Sequence, residues 1–298
     1  LNLRPAANGR WGLSGTLAGA QLDLDRVIER VDLGRYFGSG DKARDPIDLT
    51  GLSQRGIDIR LSLEKGKVFG ASLTNLALQL LVSPGRFDIN LVKAGAYKGS
   101  IKSRLSLARL PEADRLEIKL TATAEKLDLA LASAELGGGK ILSGAAFGQI
   151  SAEGTGKTIA EATANLNGKA QLTVRHGELS GMALSELARK IERQPLAALQ
   201  EWRKGRTSFE LASFSGPIVQ GVIDLQEGQI TGVDFKIALA GRIGLAEQMF
   251  SLSGALAAPG GQMLLPFDIT GPWSDPTIRP DASALTRRSS AASPLFER

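Results

Sequence analysis

The stretch NGKAQLTVRHGELSGMAL (residues 167–184) decides the fold of this chain, because it combines regular alternation with evenly placed glycines. Ala170, Leu172 and Val174 alternate with polar residues, a period of two that is typical of a half-buried β-strand. The pattern predicts a strand, a tight turn at residues 176–178, and a second strand that leads directly into a helix.

The glycine pattern of this stretch occurs three times. The segments GKVFGASL (66–73), GELSGMAL (177–184) and GQITGVDF (228–235) have glycine, an aliphatic residue, glycine and an apolar residue at the same spacing. We expect the first glycine to form the turn, because glycine adopts positive φ without steric cost. The second glycine then predicts a bulge or a close approach of two backbones. Most of the chain is therefore predicted to consist of variants of one hairpin unit.

The composition limits both the fold and the chemistry. Aromatic residues are 5% of the 298, and 35 residues are glycine, which favours an extended sheet over a compact sandwich with an aromatic core. The chain has no cysteine, which excludes disulfides, thiolate chemistry and cysteine-ligated metals. The net charge of +5 lies largely on the polar phase of strands, as at Lys102, Arg104 and Lys119, and indicates a solvated face rather than a nucleic-acid site.

Alternating segments predict an antiparallel meander in the first half of the chain. Each segment has one apolar phase, so one face of the sheet is expected to be wet and the other to be covered or to line a cavity. A strand at residues 16–25, a short helix at 25–31 and a loop at 38–48 are predicted before the meander. The five meander strands are predicted at residues 57–64, 76–80, 87–91, 99–107 and 116–120.

The second half is predicted to contain three short helices and further strands. One helix is favoured within residues 127–148, and a second at 158–167 is expected to end on Gly168 as its cap. The third is amphipathic, near residues 185–204, capped by Ser185 and interrupted at Pro195. We predict a first part at 1–150, a C-terminal part at 151–281 and a disordered tail at 282–298. The strands are predicted at residues 207–214, 217–226, 228–239, 241–246, 250–256 and 263–270.

Sequence GTGKT (154–158) is similar to a phosphate-binding loop. That loop needs a glycine five residues before its Gly-Lys pair, where this chain has Ser151, so we predict a turn into a helix. The single histidine, His176, has no nearby partners for a catalytic triad or a zinc site and is predicted to be a turn residue. We predict no catalytic residue, no metal site and no cofactor.

Carboxylates on the polar strand phase leave one enzymatic alternative open. Asp58, Asp88, Glu117 and Asp224 are distributed as on any solvated sheet face. A pair of them could also serve as the acid and base of a glycosidase.

Two surfaces suggest binding. The third predicted helix has basic residues around an apolar stripe, so it either covers an end of the sheet, which we favour, or lies on an anionic membrane. The aliphatic strand phase forms either a core closed by helices or a long apolar groove. The groove candidates are Leu76, Leu78, Leu80, Leu105, Leu107, Leu116, Ile118, Leu120, Ile223, Leu225, Ile237 and Leu239.

The order of four segments resembles AsmA-like envelope proteins of Gram-negative bacteria. Residues 154–184 resemble the glycine–helix–strand–helix series of the C-terminal part of that family, and residues 73–80 and 96–107 resemble its hairpins. Residues 269–281, ITGPWSDPTIRPD, resemble its typical ending. The chain departs from the family pattern at Arg175-His176 and at Lys98.

This resemblance implies a mainly β fold, in which an elongated antiparallel sheet curls into a groove with an apolar lining. It also implies a non-enzymatic periplasmic body, held to the inner membrane by an N-terminal helix that we expect in a longer parent protein. The implied function is binding or transport of phospholipid, or another acyl-chain ligand, between the inner and outer membranes. The alternatives are an assembly factor that binds outer-membrane proteins and a carbohydrate-active enzyme on a β-scaffold.

Overall fold

A computed structural model describes residues 2–5, 11–26, 56–110, 115–136, 141–190, 205–258 and 263–281. These residues form one long β-sheet and three short helices with described bounds, and residues 24–26 are also helical. Fifteen strands follow one another across the sheet in chain order. The strands are β1 Asn2–Pro5, β2 Trp11–Asp23, β3 Ile57–Val68, β4 Ala71–Ser83, β5 Arg86–Ala96, β6 Gly99–Leu110, β7 Arg115–Asp128, β8 Leu142–Gly156, β9 Asn167–Ser180, β10 Arg206–Val219, β11 Val222–Thr231, β12 Lys236–Gly244, β13 Met249–Ala257, β14 Met263–Pro272 and β15 Thr277–Pro280.

All neighbouring strands are antiparallel except β2 and β3, which are parallel. The sheet is curled and does not close, since no pairing within the described residues joins β1 to β15. A mainly β fold with an elongated, curled sheet is therefore confirmed.

Most apolar residues of the strands share one face of the sheet. Directly paired residues point to the same side, so the register aligns the apolar phases of successive strands in rows. One row crosses the first half of the sheet through Ile59, Leu80, Ile89, Leu105 and Leu120. Another crosses the second half through Val174, Ala212, Ile230, Ile237, Leu256 and Leu265.

The three helices lie at the two rims of the sheet, where strands are connected. Helices α1 (Leu129–Leu136) and α3 (Leu184–Lys190) are in the β7–β8 and β9–β10 connections, at what we call the α1 rim. Helix α2 (Ile159–Ala164) is in the β8–β9 connection, at the opposite α2 rim. None of these helices, the only ones with bounds in the described ranges, is long and apolar enough to span a membrane.

The meander and two of the predicted helices are confirmed. The five predicted segments lie within β3–β7, α1 lies within residues 127–148, and α2 lies within 158–167. The third helix begins at Leu184, so the predicted cap Ser185 lies inside it. Its Leu184 and Leu187 are buried in the apolar cluster, as expected for a helix that covers an end of the sheet.

The predicted turn at residues 176–178 is wrong. Strand β9 runs without reversal from Asn167 to Ser180, and His176, with φ of 49°, lies at an irregularity in its pairing with β8. A Cβ on Gly177 would overlap the ring of Phe209, its partner on β10, so this glycine permits a close approach inside the sheet.

The roles predicted for the two glycines of the repeat are reversed. The first glycines, Gly66, Gly177 and Gly228, all lie inside strands. The chain turns instead at the second position, where Gly70 and Gly181 have φ of 80° and 81°.

The structure corrects further predicted boundaries. Gly168 does not cap α2, whose C-cap is Asn165, but lies in β9. The predicted breaks near Gly216 and Gly228 are irregularities in register within β10 and β11, and the true reversal is at residues 220–221. Four predicted segments lie wholly or partly outside the described residues. They are the helix at 25–31 beyond residue 26, the loop at 38–48, the part of the amphipathic helix at 191–204 and the tail at 282–298.

Candidate functional site: an apolar cavity

A cavity of about 590 Å³ lies on the apolar face of the sheet. Its lining comes from strands β6 to β15, and the described residues that form it include no charged side chain. At the α1 rim it is bounded by Leu142, Leu179 and Met182, beside the buried residues of α3. The cavity is therefore a curled trough of strands, with a helix packed beside it at one rim.

Small residues form the floor of the cavity. Ala122 and Ala124 of β7 are paired with Ile150 and Gly148 of β8, and Ile150 is paired in turn with Ala170 of β9. To one side of this floor, strands β12–β14 instead contribute the larger side chains of Leu239, Leu252 and Phe267. The trough is empty where the apolar face has few side-chain atoms, because a curled sheet with small residues cannot fill its own concave side.

Gly148 is the clearest case of such a residue. A Cβ on Gly148 would lie no closer than 3.7 Å to any neighbouring atom, which is an ordinary contact distance. Its φ is not in the positive range, and no neighbouring backbone requires the absence of a side chain. The missing side chain of Gly148 therefore leaves volume in the cavity rather than permitting a special backbone conformation.

Aromatic side chains border the cavity at the α2 rim. The rings of Phe250 and Trp273 are 6.2 Å apart and tilted by 36°. Trp273 is 37% exposed in the turn between β14 and β15, so this border is open to solvent. Trp and Phe present large apolar surfaces with few rotatable bonds, which suits a rigid border of an apolar site.

The structure separates the twelve predicted groove residues into two groups. Ile223, Leu225, Ile237 and Leu239 line the cavity together. The others lie on the apolar face of the first half, outside the cavity. Leu107, Leu116 and Ile118 are packed under α2, with Leu80 and Leu105 beside them. Leu76 and Leu78 belong to a second cluster, and Leu120 is half-buried.

Sequence GTGKT contains the end of β8 and the N-cap of α2, the helix predicted to follow it. Cβ atoms on Gly154 and Gly156 would overlap the backbone of Ala162, so both glycines allow the helix to lie on β8. Thr158 accepts a hydrogen bond from the N–H of Glu161 at 3.1 Å, and the Glu161 carboxylate accepts one from the N–H of Lys157 at 2.8 Å. These amides are satisfied within the segment, in a variant of the capping box in which Glu161 accepts from the residue before the N-cap.

Two of the four candidate carboxylates on the polar face, Asp88 and Glu117, are paired with cations. Asp88 lies 2.7 Å from Arg86, and Lys119 lies 3.0 Å from Glu117 and 3.9 Å from Glu153. Burial raises the pKa of Asp88, but hydrogen bonds from Arg86 and Ser106 and nearby positive charges outweigh it, so the pKa lies below its ordinary value. Across the described part of the chain, no three His, Asp or Glu side chains are grouped to hold a metal ion.

Comparison with known proteins connects the sheet to one family. A model of the AsmA family matches residues 38–227, more than half of the chain. No match was found among curated proteins or among solved structures.

Proposed function

The chain belongs to the AsmA family, which is linked to biogenesis of the Gram-negative envelope, and we propose that its cavity binds acyl chains during phospholipid transport between the membranes. The observation that carries this proposal is the uncharged lining of the cavity on a curled, open sheet. We further propose that the protein acts in the periplasm, anchored to the inner membrane through another part of its parent, and without catalysis.

The energetics of burial support an acyl chain as the ligand. Each CH₂ that leaves water for an apolar site contributes about 0.8 kcal/mol, so even part of one chain gives substantial affinity. The volume of about 590 Å³ is within the range of about 300–1,000 Å³ found for small-molecule sites. A charged headgroup would remain at the solvent-exposed border, because no charged residue of the lining could pair with it.

Native mass spectrometry tests the proposal directly. The protein is purified without detergent, and then incubated with vesicles of phosphatidylethanolamine and phosphatidylglycerol and re-isolated. We expect bound phospholipid in the wild-type protein. Substitution Gly148→Leu should reduce the bound fraction more than about tenfold, since its four side-chain carbons displace about as many carbons of the ligand, at about 0.8 kcal/mol each.

A substitution on the opposite face provides the matched control. Thr121 lies on β7, one of the cavity strands, but is exposed on the polar face, so Thr121→Leu places the same leucine side chain outside the cavity. It should bind lipid as the wild type does. The proposal is lost if the wild-type protein neither carries lipid nor takes it up from vesicles, or if Gly148→Leu binds as much lipid as Thr121→Leu.

A further inference from the structure

The segment that contains α2 lies over the apolar face at one end of the cavity. Ile159 and Ala162 of the helix, 9% and 0% exposed, pack against Leu107 and Ile118 of the first half. After the helix ends, Leu166 turns its side chain onto the next part of the sheet and is 7% exposed. One short connection thus covers the face from the first half to the strands of the cavity.

Leu166 occupies the position directly beyond the cavity. It is clustered with Ala152 and Ile218, and Ile150, Ala170 and Ile223 pack against this cluster. These last three residues also line the cavity. Ala152 is two residues beyond Ile150 on β8, so it lies on the same face one step nearer the α2 rim. Leu166 therefore covers Ala152 on β8 and Ile218 on β10, which lie directly beyond the cavity lining.

The backbone around Leu166 is held on both sides. Its carbonyl accepts a hydrogen bond from the N–H of Gly221 at 2.8 Å, in the β10–β11 turn. Asn165 donates from its side chain to the carbonyl of Thr155 at 2.9 Å, on the β8 side. These hydrogen bonds fix the segment to β8 on one side and to the β10–β11 turn on the other, so they hold Leu166 in place as a wall of the site.

We propose that Leu166 sets the depth of the cavity and thereby selects the length of the apolar chain that it accepts. This inference rests on the proposed function, because it assigns a specificity role within the same site. Removing the side chain of Leu166 would uncover Ala152 and Ile218 and extend the cavity over them. Adding bulk at Ala170, which lines the cavity beside Leu166, would have the opposite effect.

The test compares a series of lysophosphatidylcholines with lauroyl, myristoyl, palmitoyl and stearoyl chains. Their affinities are measured by displacement of a fluorescent fatty acid from the wild-type protein and its variants. In Leu166→Ala the longest probes should gain affinity relative to the shortest, by about fourfold for each additional CH₂ that is buried, the equivalent of about 0.8 kcal/mol. In Ala170→Leu the preference should move toward shorter chains.

Ile159→Ala is the matched control, because it truncates a buried aliphatic residue of the same β8–β9 connection that packs away from the cavity. It should keep the wild-type length preference, with circular dichroism confirming that the variants are folded. The inference is overturned if wild-type protein binds the probes and neither Leu166→Ala nor Ala170→Leu changes the preference, or if Ile159→Ala changes it equally. Failure of the wild-type protein to bind any of the probes would count instead against the proposed function.

Discussion

The ring of Phe209 lies directly against the backbone of Gly177, its partner across the β9–β10 pair. Phe209 is only 3% exposed, and the carbonyl of Ser143 on β8 approaches Gly177 from the other side. No side chain has room between them. This contact explains why a glycine is present in the middle of a strand, where glycine costs conformational entropy.

Gly177→Ala should destabilise the protein by about 1–3 kcal/mol, the usual cost of overpacking. Gly148→Ala, on the neighbouring strand, should instead be neutral or stabilise by up to about 1 kcal/mol, because its Cβ has room and alanine restricts the unfolded chain. Thermal unfolding followed by circular dichroism measures both. Equal losses in the two variants would contradict the distinction between a close-approach glycine and a cavity glycine.

The glycines show what the sequence can and cannot decide about this fold. Alternation identified the apolar phase of the strands correctly, since that phase depends only on spacing within one strand. Whether Gly177 or Gly181 reverses the chain depends on a partner outside the stretch, because both turns and close approaches require a missing side chain. The ring of Phe209 settles the matter, and it is 32 residues away in the chain.

The same limit applies to the cavity. Alternation places Ile223 and Leu239 on the apolar face, and the structure places both in the cavity lining. The floor residues Ala124 and Gly148 have the same phase, but small residues carry little hydrophobic signal in a sequence. Only the register, which pairs these two residues, shows that the small residues adjoin one another and leave a common volume.

The start of α1 should depend on pH through Asp128. Its carboxylate accepts hydrogen bonds from the N–H groups of Ala130 and Leu131, at 3.1 and 3.3 Å, and pairs with Lys98 at 3.0 Å. The hydrogen bond from Lys98, helped by the two amides and opposed by burial, lowers the pKa of Asp128. The stabilisation is therefore fully present above the ordinary aspartate pKa of about 3.9 and is lost as pH falls through the lower folded value.

An NMR titration of the Ala130 and Leu131 amides measures this effect. Asp128→Asn is the control, because asparagine also caps helices but does not titrate. It should keep α1 folded and remove the acid transition of both amides. An unchanged transition in Asp128→Asn would assign the pH dependence to another group.

Nucleotide should not bind at GTGKT. The N–H groups of Lys157 and Glu161 are already bonded within the segment, so they are not directed at a phosphate. ATP with Mg²⁺ should leave the melting temperature unchanged, whereas a ligand at a hundredfold excess over its Kd would stabilise the protein by about 2.7 kcal/mol. Thr158→Ala should cost about 1 kcal/mol through loss of the cap. A melting temperature that rises with ATP would contradict this assignment.

The attachment of α3 to the sheet should depend on the hydroxyl of Thr207, which is 2% exposed. It accepts a hydrogen bond from the N–H of Leu184 at 2.8 Å and donates one to the carbonyl of Met182 at 2.6 Å. Thr207→Val keeps the shape but leaves both backbone groups unpaired, which should cost about 1–3 kcal/mol. Hydrogen exchange at Leu184 should then accelerate, while Thr207→Ser, which keeps the hydroxyl, should preserve protection. Equal protection in the valine and serine variants would show that packing alone holds the helix.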